Sequence, residues 1–276
     1  MSDELPLSGE RVIEDYKSSP GTHAIYLMHV ASYEFAKRYS VGKRVLDLGC
    51  GSGYGAAMIA EVAQQVVAVD VSPEAVSYAA GRYSTDNLRF QCIGNGQPLP
   101  FPEGSFDIVL SFQVIEHIVA DDAYVEEARR VLAHDGTLIM ITPNRSVRLF
   151  AGQKPWNRWH VREYDSSGLL RLLEGDKYET SMLFMTARGD IASLELNRYR
   201  RMKWIAWPFT MPWLPEGWRL RGLNFLHMLS DARKKSVPAN APHDFSVSDI
   251  SISGENDRAL NLVAISKRRR QHEIVP

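Results

Sequence analysis

The sequence predicts an α/β fold with a mostly parallel sheet, and three stretches predict it. Val45-Leu-Asp-Leu48 is a short apolar run with one acid inside it, which suits a buried strand. Glycines then alternate at 49, 51 and 53, and residues 54 to 62, rich in Ala, Met and Ile, read as a helix. Glycine lets the backbone approach a ligand closely, and a helix N-terminus presents unpaired N–H groups. Strand, glycine turn and helix therefore make a nucleotide-binding βα unit. Val66-Val-Ala-Val-Asp70 is a second buried strand that ends in a carboxylate able to accept both hydroxyls of a ribose. Gly49 to Asp70 is 21 positions, close to the roughly 20 expected of such a fingerprint. Further on, Phe106–Phe112 and Thr137–Ile141 supply two more strands at the spacing of repeated βα units.

The remaining elements follow in order. His23 to Tyr39 is helical and carries Tyr26, His29, Tyr33 and Phe35. Ser72-Pro-Glu-Ala75 is a helix start, with Ser at N-cap and Pro at N1, and that helix runs to about Tyr83. Leu88 to Cys92 is the third strand, followed by the loop Gly94-Asn-Gly-Gln97. Ser111-Phe-Gln-Val-Ile-Glu-His-Ile118 is the end of the fourth strand and the turn after it. Ligands of an open parallel sheet sit beyond the carboxyl ends of the strands, so Glu116 and His117 emerge where a ligand belongs. Ala123 to Leu132 is a helix, and His134-Asp-Gly136 turns into the fifth strand. Trp156-Asn-Arg-Trp-His-Val-Arg-Glu-Tyr164 is a loop crowded with aromatic and charged groups. Asp165 or Ser166 caps a helix ending near Leu173, Lys177–Thr186 suits a sixth strand, and Ala259–Ser266 suits the last.

Residues 41 to about 145 resemble the class I S-adenosylmethionine (SAM) dependent methyltransferases. The matching residues are Leu46-Asp-Leu-Gly-Cys-Gly-Ser-Gly53, Val69-Asp-Val-Ser72, Leu99-Pro-Phe101, Phe106-Asp107, Ile115-Glu-His117, Arg130-Val-Leu132 and Thr142-Pro-Asn144. The resemblance implies a Rossmann-like fold: a seven-stranded, mostly parallel sheet with an antiparallel edge strand. It divides the chain into an N-terminal helical cap (1–40), a SAM-binding domain (41–189 and 255–276) and an insertion or lid (190–254). It implies SAM as cofactor, held by Asp47, Gly49, Gly51, Gly53, Asp70, Val71, Asn95, Gly96 and Phe112. Asn95 stands where the family often has an acid for the adenine amino group; its carbonyl can accept the same bond without a charge. Gly9-Glu-Arg-Val12 resembles the opening of a subgroup acting in surface-glycan and secondary-metabolite pathways. There the first helix is either a lid bringing Arg11 and an aromatic to the methionine end of SAM, or a helix packed on the sheet.

Composition narrows the partners. A formal net charge of −1 argues against a dedicated nucleic-acid binder. Of the two cysteines, Cys50 lies inside the glycine loop, so no disulfide is expected. The start Met-Ser-Asp-Glu lacks a signal-peptide core, and no apolar run reaches the ~18 residues that span a membrane, so the expected location is cytoplasmic. The insertion holds Trp204, Trp207, Trp213 and Trp218, and between Arg198 and Lys235 nine basic residues stand against two acidic ones. Prolines at 208, 212 and 215 forbid a long helix there. The insertion is a lid whose Trp faces suit sugar rings, a homodimer interface, or a contact to anionic membrane or glycolipid. The tail Lys267-Arg-Arg-Arg270 reads as a solvated charge run.

SAM brings its own activated methyl, so the enzyme must align the acceptor and exclude water. A hydroxyl acceptor also needs its proton taken or its oxygen polarised. His117 and His160 are the candidate bases. Gln113-Val-Ile-Glu-His117 also resembles the Glu-x-x-Glu-His motif of small-RNA 2′-O-methyltransferases, and a comparable motif in ubiquinone-pathway O-methyltransferases. In the RNA enzymes a later His, before a Glu and an aromatic, completes a divalent-ion site, and His160-Val-Arg-Glu-Tyr164 fits that description. Glu116, His117 and His160 would then hold Mg²⁺ or a similar ion. Gln113 departs from the motif and removes one charge. The expected activity is O-methylation of a sugar hydroxyl in a polysaccharide, glycolipid or glycosylated metabolite. A quinone or phenol acceptor, an RNA 2′-hydroxyl, and a SAM-binding regulator without turnover are the alternatives.

Overall fold

The computed structural model describes residues 19–175, 178–234, 244–255 and 258–268. The Gly9-Glu-Arg-Val12 opening with Arg11, and the basic tail beyond Arg268, lie outside the described residues.

One sheet organises the molecule. Its strands are β1 (Arg44–Leu48), β2 (Gln65–Asp70), β3 (Leu88–Cys92), β4 (Phe106–Phe112), β5 (Leu132–Pro143), β6 (Tyr178–Ala187), β7 (Ile250–Ser253) and β8 (Asn261–Arg268). Their spatial order is β3-β2-β1-β4-β5-β8-β6-β7. The first five run parallel; β8 is antiparallel to both β5 and β6, and β7 is antiparallel to β6. The expected seven strands are thus eight. The additional strand, β7, falls inside the stretch assigned to the insertion, and it takes the edge position. Ile250-Ser-Ile-Ser253 has only two apolar residues in alternation, too few to register as a strand. The last strand, β8, lies inside the sheet, between β5 and β6. The predicted turn at His134–Gly136 is absorbed into β5, where the register with β4 jumps from Phe106↔Leu132 to Ile108↔Thr137.

Alternation along the strands feeds two cores. Val45, Ile108, Leu110, Ile139, Ile141 and Val263 face one side. There α1 (Pro20–Ser40), α2 (Tyr54–Ala60) and α7 (Gly189–Ile205) cover them, and α3 (Pro73–Arg82) follows β2. Leu46, Leu48, Val109, Leu138, Met140 and Leu262 face the other side, under α4 (Asp121–Arg130) and α6 (Ser166–Leu173). A short α5 (Arg145–Arg148) follows β5, and α8 (Glu216–Lys234) follows α7. The prolines at 208, 212 and 215 do not keep long helices out of the insertion, as the sequence suggested: α7 and α8 both form, and the prolines fall in the segment between them, which holds the 3-10 turn Trp207–Phe209.

The first helix begins as its sequence dictates: Ser19 caps it by accepting from the Thr22 N–H, and Pro20 fills the first turn. It packs on the sheet and on α2, with Ala24, Leu27, Met28, Ala31, Tyr33, Phe35 and Ala36 buried. The contact with α2 is close. A Cβ on Gly55 would lie 2.0 Å from the Tyr33 ring. Gly55→Ala is therefore expected to destabilise the protein by about 1–3 kcal/mol, the cost of overpacking. Urea unfolding measures it, and in a Tyr33→Ala background, where the ring is gone, the same substitution should cost little.

Candidate functional site

The glycine loop closes over the end of β2. The Gly49 and Cys50 N–H groups both donate to the Val69 carbonyl, at 2.8 and 2.9 Å. Asp70 accepts from the Gly51 N–H (3.0 Å) on one oxygen and the Ser72 N–H (2.9 Å) on the other. Gly49 has φ 95°, and a Cβ there would meet Val114 Cγ2 at 2.4 Å, so the loop needs glycine on both counts. Val114 is in the turn after β4, so the glycine loop and that turn touch. Val71 is exposed beside Asp70, and Asn95 and Gly96 (φ 67°) form an exposed turn after β3. Phe112 is buried, its ring 5.0 Å from Tyr33 in edge contact. The candidate cofactor residues thus converge on the carboxyl ends of β1 to β4. Asp47 is the inner member: it is buried in β1, accepts from the Tyr33 hydroxyl at 3.2 and 3.4 Å, and burial pushes its carboxyl up to about 7.

The same edge holds a second constellation. Glu116 and His117 lie in a 3-10 turn, Ile115–His117, directly after β4. His160 lies in the long loop between α5 and α6. Ligand-capable atoms of Glu116, His117 and His160 all lie within 4.8 Å of one another. The Val161 N–H donates to the Glu116 carbonyl at 2.8 Å and locks the turn to the loop. Glu116 is buried, which pushes its carboxyl up to about 7. One of its oxygens accepts from the Thr142 hydroxyl at 2.9 Å; the other, Oε1, has no hydrogen-bond partner among the described residues. A buried carboxylate oxygen without a donor is costly unless something else meets it.

Both imidazoles are oriented from behind. His160 Nδ1 is 2.8 Å from Glu163 Oε1, and His117 Nδ1 is 3.1 Å from the Trp159 carbonyl. Each Nδ1 meets an acceptor, so each neutral ring carries its proton there and its lone pair on Nε2. Burial lowers His160 to about 4, which keeps it neutral near pH 7. Glu163 is itself buried and gripped by both forks of Arg148, at 2.9 and 3.0 Å. Arg148 lies over the rings of Trp156 and Tyr199, at 4.3 and 4.8 Å. Metal-bound histidines have this arrangement, one nitrogen on the ion and the other on a carboxylate or carbonyl. The donor set of one carboxylate and two imidazoles therefore fits a divalent cation. Gln113, at φ 56°, adds no carboxylate.

The insertion holds the His160 loop in place. Arg219 of α8 is 2% exposed and donates to the His160 carbonyl (3.1 Å), the Asn157 carbonyl (3.3 Å) and Glu216 (2.7 Å). The Gln153 amide donates to the Lys203 carbonyl and the Thr210 hydroxyl, and the Lys154 N–H donates to the Thr210 carbonyl. Around the cluster Val119, Trp159 and Val161 are exposed. Arg148 and Arg219 had no sequence signal, and Thr142, though part of a matching motif, gave no hint of its partner. Each partners a residue 15 to 59 positions away, with no periodicity to reveal it.

Residues 46–140 match the family described as a methyltransferase domain. A protein of Mycolicibacterium smegmatis described as a probable S-adenosylmethionine-dependent methyltransferase is 36% identical over 175 residues, 63% of this chain and 66% of that one. This chain spans 60% to 66% of the length of the mycobacterial relatives it matches. A ubiquinone biosynthesis O-methyltransferase of Xanthomonas oryzae is 32% identical over 121 residues, 43% of this chain and 51% of that one. Among solved structures, the YcgJ protein from Bacillus subtilis superposes with a TM-score of 0.55 at 20% identity, covering 88% of this chain and 100% of that one. At that identity the likeness is one of fold.

Proposed function

Residues 46–140 being a class I SAM-dependent methyltransferase domain, we propose that the chain is an O-methyltransferase whose acceptor is a sugar hydroxyl, assisted by a divalent cation. SAM supplies a sulfonium-activated methyl, and the cation, when bound, lowers the pKa of the acceptor hydroxyl. The chain supplies the rest. Asp70 receives the ribose hydroxyls, the glycine loop lets the backbone come close, and Asn95 and Val71 border the adenine. Glu116, His117 and His160 would hold the cation. Glu163 and the Trp159 carbonyl keep both rings in the tautomer with its lone pair on Nε2. The single observation behind this reading is the cluster itself: one carboxylate and two imidazoles with ligand-capable atoms within 4.8 Å, beside the turn that the glycine loop touches. Trp159, exposed beside His160, offers a ring face to the C–H face of a sugar.

The test has two readouts. Mn²⁺ binding to the cofactor-free protein, followed by electron paramagnetic resonance, should show one site that Glu116→Gln with His160→Ala removes. Turnover with a panel of sugars and glycolipids should vanish in excess chelator and return with Mg²⁺ or Mn²⁺. Full activity in chelator would leave His117 as a metal-free base and remove the cation. A phenolic or quinone-type acceptor is the second reading, and the Xanthomonas oryzae relative favours it; the same panel, extended to catechols, separates the two.

A further inference from the structure

The two long helices of the insertion turn apolar faces to solvent. Trp204 on α7 is 63% exposed, Trp218 on α8 is 64% exposed, and Trp213 between them is 74% exposed. Ile205, Trp207, Phe225 and Met228 are exposed as well. At about 100° per residue, Arg200, Arg201 and Trp204 share one arc of α7, opposite buried Ile191, Glu195 and Tyr199. Trp218, Arg221, Phe225 and Met228 share an arc of about 80° on α8, opposite buried Arg219 and Leu223. Among the described residues, the C-terminal half of α7 carries Arg198, Arg200, Arg201 and Lys203 and no acid, and Arg221 lies on the α8 arc; Arg198 pairs with Glu195, whereas Arg200, Arg201 and Arg221 make no ion pair.

We propose that the α7–α8 insertion is a peripheral docking surface for an anionic lipid bilayer. Large apolar side chains interleaved with arginine match the two components of such a surface, headgroup charge and acyl boundary, and tryptophan favours the level between them. The formal net charge of the whole chain is −1, so any attraction to anions comes from a local surplus such as the arginines on these arcs. A symmetric second copy fits less well, since an isologous contact would set Arg200, Arg201 and Arg221 against their own kind. No described helix is long and apolar enough to cross a membrane, so the attachment is to one surface. The surface also reaches the candidate site. Arg158 lies 4.7 Å over the Trp159 ring and donates to Asn224 on α8 at 3.0 Å, so the α8 arc continues to the residue before His160.

The proposal does not depend on the reaction, and its test uses binding alone. The full chain is sedimented with vesicles of phosphatidylcholine, and with vesicles of phosphatidylcholine mixed with phosphatidylglycerol. Binding to the mixed vesicles only, weakened by salt and accompanied by a blue shift of tryptophan emission, is expected. Two exposed-residue variants should each lower it by roughly tenfold or more: Arg200→Gln, Arg201→Gln and Trp204→Ser on α7; Trp218→Ser, Arg221→Gln and Phe225→Ser on α8. SAM affinity, read separately by calorimetry, should be the same in all three proteins. The proposal is overturned by absence of vesicle binding, by equal binding to neutral vesicles, by two variants that bind as the parent does, or by a stable dimer in solution that either variant dissociates.

Discussion

Replacing Asp70 with Ala is expected to raise the dissociation constant for SAM at least 100-fold. Two charge-assisted hydrogen bonds to a ribose are each worth about 1.5–3 kcal/mol, and about 2.7 kcal/mol already gives a factor of 100. The same carboxylate holds the Gly51 and Ser72 N–H groups, so the variant also loosens the glycine loop. Calorimetric titration of SAM measures the loss. Asp70→Asn keeps one acceptor oxygen and should recover part of the affinity. A parental dissociation constant for Asp70→Ala would show that the ribose sits elsewhere and would withdraw the whole cofactor assignment.

Arg148→Ala should be the most damaging single change to stability near the site, at about 3–5 kcal/mol, because it strands a buried carboxylate. Glu163 has no exposure of its side chain, and the Arg148 fork and His160 hold its pKa down to about 2 despite burial. Folding thus depresses this carboxyl, and the stability it lends is present above the usual carboxylate range. That contribution is lost as pH falls from about 4.5 toward 2. Urea unfolding at pH 7 should show the Arg148→Ala loss, and the double change Arg148→Ala with Glu163→Gln should recover much of it. Little change at pH 7 would mean that Arg148 does not hold this corner. Glu116 works in the opposite direction. Folding raises its pKa to about 7, so between about 4.5 and 7 its ionisation weakens the fold as pH rises. A bound divalent cation should offset that penalty. Mn²⁺ is therefore expected to raise the unfolding temperature more at pH 8 than at pH 5.

The parallel half of the sheet was legible because its information is local. Three glycines, one acid at the end of a strand and one Ser-Pro helix start occur in runs of a few residues, and backbone geometry demands them there. Glu116, His117 and His160 could also be named from short motifs, and the fold brings them together. What supports them could not be named. Arg148 finds Glu163, Thr142 finds Glu116, and Arg219 finds the His160 carbonyl only after the chain has closed on itself. The eighth strand escaped because four residues alternating Ile and Ser resemble a loop until β6 is beside them. Tyr33 stood out only as one aromatic of several on the first helix, and its bond to Asp47 is a property of two elements in contact.

That eighth strand bears on how such a chain can change over time. Ala187 and Ile250 face each other as partners across the β6–β7 ladder, so the whole excursion from Arg188 to Asp249 leaves and re-enters at one point. A two-residue turn would close the gap as an ordinary hairpin. The excursion is in effect a cassette: lengthening, trimming or exchanging it alters what braces the His160 loop and leaves the parallel ladders of β1 to β4 in place. One scaffold could in this way be refitted for new acceptors without relearning how to grip its donor.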